Sequence, residues 1–110
     1  DGFFVGFESP DAALACAVAI QRTLAEHRKA HGFAPQVRIG VHASSATQTG
    51  ASFSGKGVHE AARIAALADG GEVLVSSQTA VATRQSVSEP RSVTLRGIAE
   101  PMEVVSVKWR

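Results

Sequence analysis

Four side chains of this sequence could bind an anionic ligand: His59, Arg63, Arg38 and Arg96. His59 and Arg63 are four residues apart in a helix-forming stretch, so their side chains project from one face of that helix. Arg38 and Arg96 fall in two segments that otherwise favour apolar strands. A guanidinium group presents a planar fork of donors that suits phosphate oxygens. One interpretation is therefore a site that clamps a phosphate chain.

A purely structural interpretation of the same arginines remains open. An arginine inside a strand needs a partner, because an unpaired buried charge is costly. Glu60, Glu72 and Glu100 could provide that partner in salt bridges that only stabilise the fold. Spacing alone favours structural ion pairs over a phosphate clamp.

Three other patterns fail as metal or nucleotide motifs. Residues 50–57 are similar to a P-loop, but a glycine stands where a Ser or Thr hydroxyl should reach Mg²⁺. Residues 59–63 are similar to the zinc-protease pattern HExxH, but an arginine, which cannot coordinate zinc, replaces the second histidine. His27 and His31 are four residues apart without an obvious third ligand, which favours solvated side chains near a helix end.

The elements that must position these residues alternate between strands and helices. Apolar periodicity and turn residues predict strands over 2–7, 37–43, 72–75, 93–96 and 102–108, and helices over 10–31, 58–67 and 79–84. Residues 44–54 are expected to form a loop or a loosely paired ribbon. The order predicts an α+β fold, a two-layer α/β sandwich in which helices cover one side of a single mixed sheet.

Small residues predict which faces of the two long helices meet the sheet. In the first helix the expected inward face is Ala13, Ala17, Ile20, Leu24 and His27. Cys16 of the same helix is interpreted as a small buried hydrophobe. In the second helix the expected inward face is Val58, Ala61, Ala62 and Ala65.

Composition excludes several classes of function. The chain has 110 residues, a formal net charge of +1 and one cysteine. That length predicts one domain, and the near-neutral charge predicts no nucleic-acid partner and no direct membrane contact. A single cysteine cannot form an internal disulfide, so we expect a cytoplasmic location. Because the chain opens on a strand-like segment without Met, we expect a fragment of a longer protein.

Several motifs in order resemble the catalytic domain of class III adenylate/guanylate cyclases, in particular those of actinobacterial regulators. They are DGFFV at 1–5, VRIGVH at 37–42, GKGVHEAARI at 55–64, GGEVLVS at 70–76 and LRGIAEP at 95–101. The resemblance covers residues 1–110 and implies a partial domain without the family's first metal-binding segment. It implies the ferredoxin-like cyclase fold, with a mixed sheet covered by helices.

The resemblance also implies an activity. Cyclase domains of this class form head-to-tail homodimers with active sites at the interface. The ribose 3′-hydroxyl of ATP, or of GTP in some members, attacks the α-phosphate and gives the cyclic nucleotide and pyrophosphate. Two metal ions, Mg²⁺ or Mn²⁺, assist the attack. The implied product of the full-length protein is cyclic AMP.

By resemblance, three residues match the catalytic and metal-binding positions. Arg63 matches the arginine that stabilises charge on the α-phosphate in the transition state. His59 stands where the family usually has an asparagine that orients the ribose. Asp1 matches the second metal-binding aspartate.

Four further residues match the substrate-binding positions of the family. Arg38 and Arg96 correspond to residues that grip the triphosphate, and Ser52 and Phe53 fall where the family contacts the base. Ser52 replaces the usual base-reading aspartate, and its hydroxyl can both donate and accept a hydrogen bond.

Departures from the family pattern support an alternative. The first metal-binding aspartate and a base-reading lysine would lie upstream of Asp1, so we expect residues 1–110 alone to be inactive. Because His59 and Ser52 differ from the usual residues, the domain could instead be a degenerate cyclase-like module. Such a module would sense nucleotides or form dimers in a signalling regulator. A ferredoxin-like RNA binder is disfavoured by the near-neutral charge.

Overall fold

The structure is a computed structural model, and it describes residues 5–7, 9–43, 47–49, 52–54, 56–81, 83, 85–95, 97 and 101–109. For residues 47–49, 52–54 and 56–58 the backbone alone is described. The elements are α1 (Pro10–His31), β1 (Ile39–Val41), β2 (Thr47–Thr49), β3 (Ser52–Ser54), α2 (Lys56–Leu67), β4 (Val73–Ser76), α3 (Ser77–Ala80), β5 (Arg91–Val93) and β6 (Met102–Ser106).

The main sheet has four strands in the order β1-β4-β6-β5. β1 and β4 are parallel, with Gly40 opposite Leu74, whereas β4 and β6, and β5 and β6, are antiparallel. β2 and β3 form a separate antiparallel ribbon. Of the two alternatives expected for residues 44–54, a loop or a paired ribbon, the structure has the ribbon. The α+β class with a mixed sheet covered by helices is therefore confirmed. Among the described strands, β1 pairs on one side only, so the sheet is open at that edge.

Local residues determine both ends of α1. The Ser9 hydroxyl accepts a hydrogen bond from the Ala12 backbone N–H at 3.1 Å, and Pro10 occupies the first turn, where its missing N–H costs nothing. At the other end Gly32 has φ +79° and donates its N–H to the Arg28 carbonyl at 2.7 Å. The predicted bounds of this helix are confirmed.

The face of α1 that meets the sheet differs from the predicted one. The buried residues are Leu14, Ala17, Val18 and Gln21, whereas Ile20 and Cys16 are exposed. The predicted inward face is thus displaced by about one residue around the helix, and Cys16 is not buried. A pattern of apolar residues could not include Gln21, which is buried because its amide donates to the Val37 carbonyl at 2.9 Å.

The two long helices cover opposite faces of the sheet. Val73 and Val75 of β4 pack with α1, while Leu74, between them, packs with α2. Successive side chains of a strand point to opposite faces, so the helices lie on both sides of the sheet rather than on one. The first cluster is Leu14, Ala17, Val18, Val73, Val75, Val105, Val107 and Trp109; the second is Ile64, Ala68, Leu74, Leu95 and Val104.

The shorter elements depart from their predicted bounds. Residues 5–7 form no strand, and residues 2–4 of the predicted first strand lie outside the described part. α3 begins at residue 77 rather than 79, and Ser76 occupies its N-cap position without a side-chain capping hydrogen bond. β5 covers residues 91–93 rather than 93–96. Leu95 is buried in the second cluster, so it packs in the core beyond the end of the strand.

β1 and α2 approach so closely that no side chain fits between them at Gly40. A Cβ atom there would lie 2.4 Å from the Ala65 backbone nitrogen and 2.7 Å from the Ala61 carbonyl oxygen. Ala61 and Ala65 therefore face the sheet as predicted. Ala62, however, is exposed, and Ile64 is fully buried on the inward face.

Replacing Gly40 with alanine should destabilise the fold. The new methyl group would overlap backbone atoms of α2, so helix and strand must separate, which costs about 2–3 kcal/mol of unfolding free energy. Urea denaturation would measure this loss. Ser92→Ala on β5 is the control, because a change to alanine at an exposed strand position should alter stability by less than about 0.5 kcal/mol. Equal stability losses for the two variants would contradict the close approach at Gly40.

Candidate functional site

α2 presents His59 and Arg63 to the outside of the molecule. Both residues are exposed and stand one turn apart, about 6 Å along the helix axis. The opposite side of α2 contains Ile64 and Ala68, which are buried against the sheet. The structure therefore brings together the two residues to which catalytic roles were assigned, and neither has a hydrogen bond or ion pair with any other described residue.

Arg38 lies just before β1 and is exposed rather than inside the strand. Two of its three possible carboxylate partners have other contacts. The Glu60 carboxylate lies 3.5 Å from His42 Nε2, and Glu72 lies 3.7 Å from Arg91 Nη2. The third, Glu100, is outside the described part of the chain. Among the described residues, Arg38 thus has no ion-pair partner.

Arg38 and His59 lie at opposite ends of β1. α2 begins beside the end of the strand, where Glu60 contacts His42. Four residues of extended chain, about 13 Å, separate Arg38 from His42. The structure therefore does not bring Arg38 next to His59 within one copy of the chain.

The remaining assigned residues are only partly described. Ser52 and Phe53 lie in β3, where they pair with Thr49 and Gln48, and one residue separates β3 from α2. Their side chains are not described. Asp1 and Arg96 lie outside the described residues altogether. The roles of these four residues stay predictions.

A polar network that sequence analysis missed joins the ends of β1 and β4. His42 Nδ1 lies 2.8 Å from the Ser76 hydroxyl, which lies 2.6 Å from the Thr79 hydroxyl. The Ala43 backbone N–H donates to that Thr79 oxygen at 2.9 Å. The His42 side chain is 3% exposed, and Ser76 is fully buried.

The sequence contained a signal for this network. The carboxyl ends of neighbouring parallel strands meet at one edge of a sheet. A polar residue directly follows β1, and another is the last residue of β4. His42 and Ser76 are these residues, and the parallel pairing of Val41 with Val75 places them side by side. Without the strand pairing, nothing in the sequence joins two residues 34 positions apart.

An open groove of about 480 Å³ lies near the start of β4, at the end of that strand remote from Ser76. Its lining residues are Asp69, Gly70, Gly71, Glu72, Ser106, Val107, Lys108 and Trp109. Trp109 fixes one wall, because its indole N–H donates to the Gly71 carbonyl at 3.0 Å. Of the assigned residues whose side chains are described, namely Arg38, His59 and Arg63, none lines this groove.

The described residues contain no group of three or more side chains that could hold a metal ion. The imidazole rings of His27 and His31 have centroids 4.5 Å apart, and His27 Nδ1 lies 2.9 Å from the Phe33 carbonyl oxygen. Both histidines are exposed, as expected for residues near the end of α1, so the placement of His27 on the inward face of that helix is wrong. In the same described part, no helix combines the length and the apolar character needed to cross a membrane.

Comparison with known proteins finds similarity in structure only. No protein-family profile matches the sequence, and no curated protein matches it significantly. An adenylate/guanylate cyclase/hydrolase from Silicibacter pomeroyi matches with a TM-score of 0.79 and 22% identity over 92% of this chain. Adenylate cyclases from Trypanosoma brucei match with a TM-score of 0.75 and 19% identity over 92%. The guanylate cyclase domain of RhGC from Catenaria anguillulae, solved with GTP, matches with a TM-score of 0.72 and 18% identity over 94% of this chain.

These matches establish the fold. The chain has the fold of adenylate and guanylate cyclase domains, as the sequence resemblance implied. It spans 63%, 64% and 62% of the three matched chains, respectively, which is less than two thirds of each. The similarity includes both adenylate and guanylate cyclases and does not distinguish between the two nucleotides.

Removing the Ser76 hydroxyl should destabilise the domain. Ser76→Ala leaves the buried His42 nitrogen and the Thr79 hydroxyl without a shared partner, and an unsatisfied buried polar group costs about 1–3 kcal/mol. Chemical denaturation would measure the loss. Ser92→Ala on β5 is the matched control, since an exposed serine should change stability by less than about 0.5 kcal/mol. A Ser76 variant as stable as this control would show that the network contributes nothing.

Proposed function

We propose that this chain is part of the catalytic domain of a class III nucleotide cyclase that converts ATP into cyclic AMP and pyrophosphate. The observation that carries the proposal is the exposed pair His59 and Arg63 on α2. A cation and a polar ring one turn apart, free of other described contacts, are available to a ligand. The fold is one whose solved examples include adenylate and guanylate cyclases.

The proposed reaction explains why an unpaired arginine would stand on this helix. The ribose 3′-hydroxyl oxygen attacks the α-phosphorus and gives up its proton to water. The bond from that phosphorus to the oxygen shared with the β-phosphorus breaks, and pyrophosphate leaves. Negative charge on the α-phosphate oxygens changes during this displacement. The Arg63 guanidinium can donate two hydrogen bonds to those oxygens without first losing a protein partner.

His59 would orient the ribose. An imidazole can donate one hydrogen bond and accept another, as the amide of an asparagine can, although the ring places its nitrogens differently. His59 is exposed one turn from Arg63, so a sugar bound beside it could present its α-phosphate to the guanidinium. Ser52 and Phe53, on the strand that leads into α2, would contact the base.

The position of Arg38 supports a site shared by two copies of the chain. Arg38 is exposed at the end of β1 remote from His59 and has no described ion-pair partner. In a head-to-tail homodimer, residues that are separated within one copy can meet across the interface. We therefore include a homodimer in the proposal, with Arg38 and Arg96 gripping the triphosphate.

Asp1 would provide a carboxylate for metal binding, a ligand type that Mg²⁺ and Mn²⁺ prefer. A second aspartate would come from a segment outside these 110 residues. Two such ions, when bound, supply positive charge opposite the triphosphate and make the 3′-hydroxyl easier to deprotonate. A cytoplasmic location, where ATP is available, belongs to the same proposal.

A second candidate function is a nucleotide-sensing or dimerising module without catalysis. It is favoured by His59 and Ser52, which stand where cyclases of this class usually have an asparagine and an aspartate. Nucleotide binding without cyclic product would distinguish this module from an enzyme. In that case Arg63 would contribute to affinity only.

Replacing Arg63 with alanine in the full-length natural protein should lower turnover by about a hundredfold, because a donor to the transition state is lost. Cyclic nucleotide formation, followed by mass spectrometry, would measure this. Arg91→Ala is the matched control: Arg91 is an arginine on β5, in an exposed ion pair of little energetic value. The assignment of Arg63 is wrong if both variants retain wild-type turnover.

A further inference from the structure

We infer that His42, as the neutral tautomer with its hydrogen on Nε2, is a positioning residue that holds the first turns of α2 in place. Through α2 it would set the positions of His59 and Arg63. The consequence for catalysis rests on the proposed function. The tautomer and the effect on α2 do not depend on it.

The tautomer follows from counting donors and acceptors in the buried network. The Ala43 N–H can only donate, so the Thr79 oxygen accepts from it at 2.9 Å. Thr79 can then give its own hydrogen to Ser76 at 2.6 Å, and Ser76 gives its hydrogen to His42 Nδ1 at 2.8 Å. Every hydroxyl donates once in this arrangement. His42 Nδ1 is therefore the acceptor, and the ring hydrogen of neutral histidine lies on Nε2.

The opposite direction satisfies fewer groups. If His42 Nδ1 donated to Ser76 and Ser76 donated to Thr79, the Thr79 hydrogen would have no described acceptor. This loss is the same whether the ring is neutral or doubly protonated. In the neutral ring, the bare Nε2 lone pair would also face the Glu60 carboxylate, which lies 3.5 Å away. The imidazole is only 3% exposed, so two acceptors that face each other there are an unfavourable arrangement. The first arrangement instead directs the Nε2–H toward that carboxylate.

Glu60 connects the network to the functional face of α2. It directly follows His59 and lies three residues before Arg63, on a part of the helix that is half-buried. Its carboxylate contact with His42 is a polar contact between α2 and the end of β1. The close approach at Gly40 sets the distance of the helix from the sheet. The Glu60–His42 contact then limits rotation and sliding of α2.

The first test measures the wild-type protein, and a variant serves only to assign the signals. In the full-length protein with ¹⁵N-labelled histidine, a ring nitrogen that carries hydrogen and a bare ring nitrogen have well-separated chemical shifts. Near neutral pH, His42 should show a bare Nδ1 and a hydrogen-bearing Nε2, with His42→Gln used to assign its signals. A hydrogen on Nδ1, alone or together with one on Nε2, would overturn the tautomer.

The second test separates positioning from general stability. His42→Gln places an amide near the original Nε2 and can still reach Glu60, whereas His42→Asn can contact Ser76 but is too short for Glu60. Backbone amide resonances of His59 and Arg63 should move in His42→Asn and stay close to wild type in His42→Gln. His31→Asn makes the same change at an exposed histidine at the end of α1, so it is the matched control and should move neither resonance.

Activity provides the third readout. Misplacement of Arg63 should lower kcat by up to about a hundredfold in His42→Asn with little change in KM, and His42→Gln should recover most of that loss. Equal kcat and unmoved α2 resonances in all His42 variants would overturn the positioning role. If the wild-type protein forms no cyclic nucleotide, the proposed function fails, while the resonances still decide whether His42 positions α2.

Discussion

The close contact between the backbones of α2 and β1 at Gly40 is the constraint on which the candidate site depends. A helix can lie this near a strand only where the strand residue has no side chain, and Ala61 and Ala65 keep the helix side equally small. With the helix held in this orientation, the Ile64 side chain points into the core and the other side of α2 faces outward. The exposure of His59 and Arg63 is therefore a consequence of how α2 packs.

The second determinant is polar and lies at the carboxyl ends of two parallel strands. Such ends commonly contribute to binding sites in sheets of this kind. Here the side chains of His42 and Ser76 are buried and contact each other, so they would support the candidate site on α2 instead of binding a ligand themselves. The outward residues of α2 would contact ligand, while Glu60 connects that helix to the buried support.

Features set by nearby residues could be predicted from the sequence, and features set by distant contacts could not. The ends of α1 depend on Ser9 and Gly32, and the placement of His59 beside Arg63 depends only on helical spacing. By contrast, the inward face of α1 includes Gln21 because of a carbonyl 16 positions away. The resemblance to cyclases identified the fold correctly, since its motifs follow the order of α2, β4 and the strands around them. It could not reveal the His42 network, which appears only once β1 and β4 are paired.

The measurement that most directly tests the account is cyclic nucleotide formation by the full-length protein with ATP and GTP supplied separately in the presence of Mn²⁺, beside an Asp1→Ala variant. We expect cyclic AMP from ATP and its loss in the variant, because Asp1 is assigned to metal binding. No cyclic product from either nucleotide, with a protein shown to be folded and dimeric, would contradict a cyclase. It would favour a nucleotide-sensing module built on the same fold.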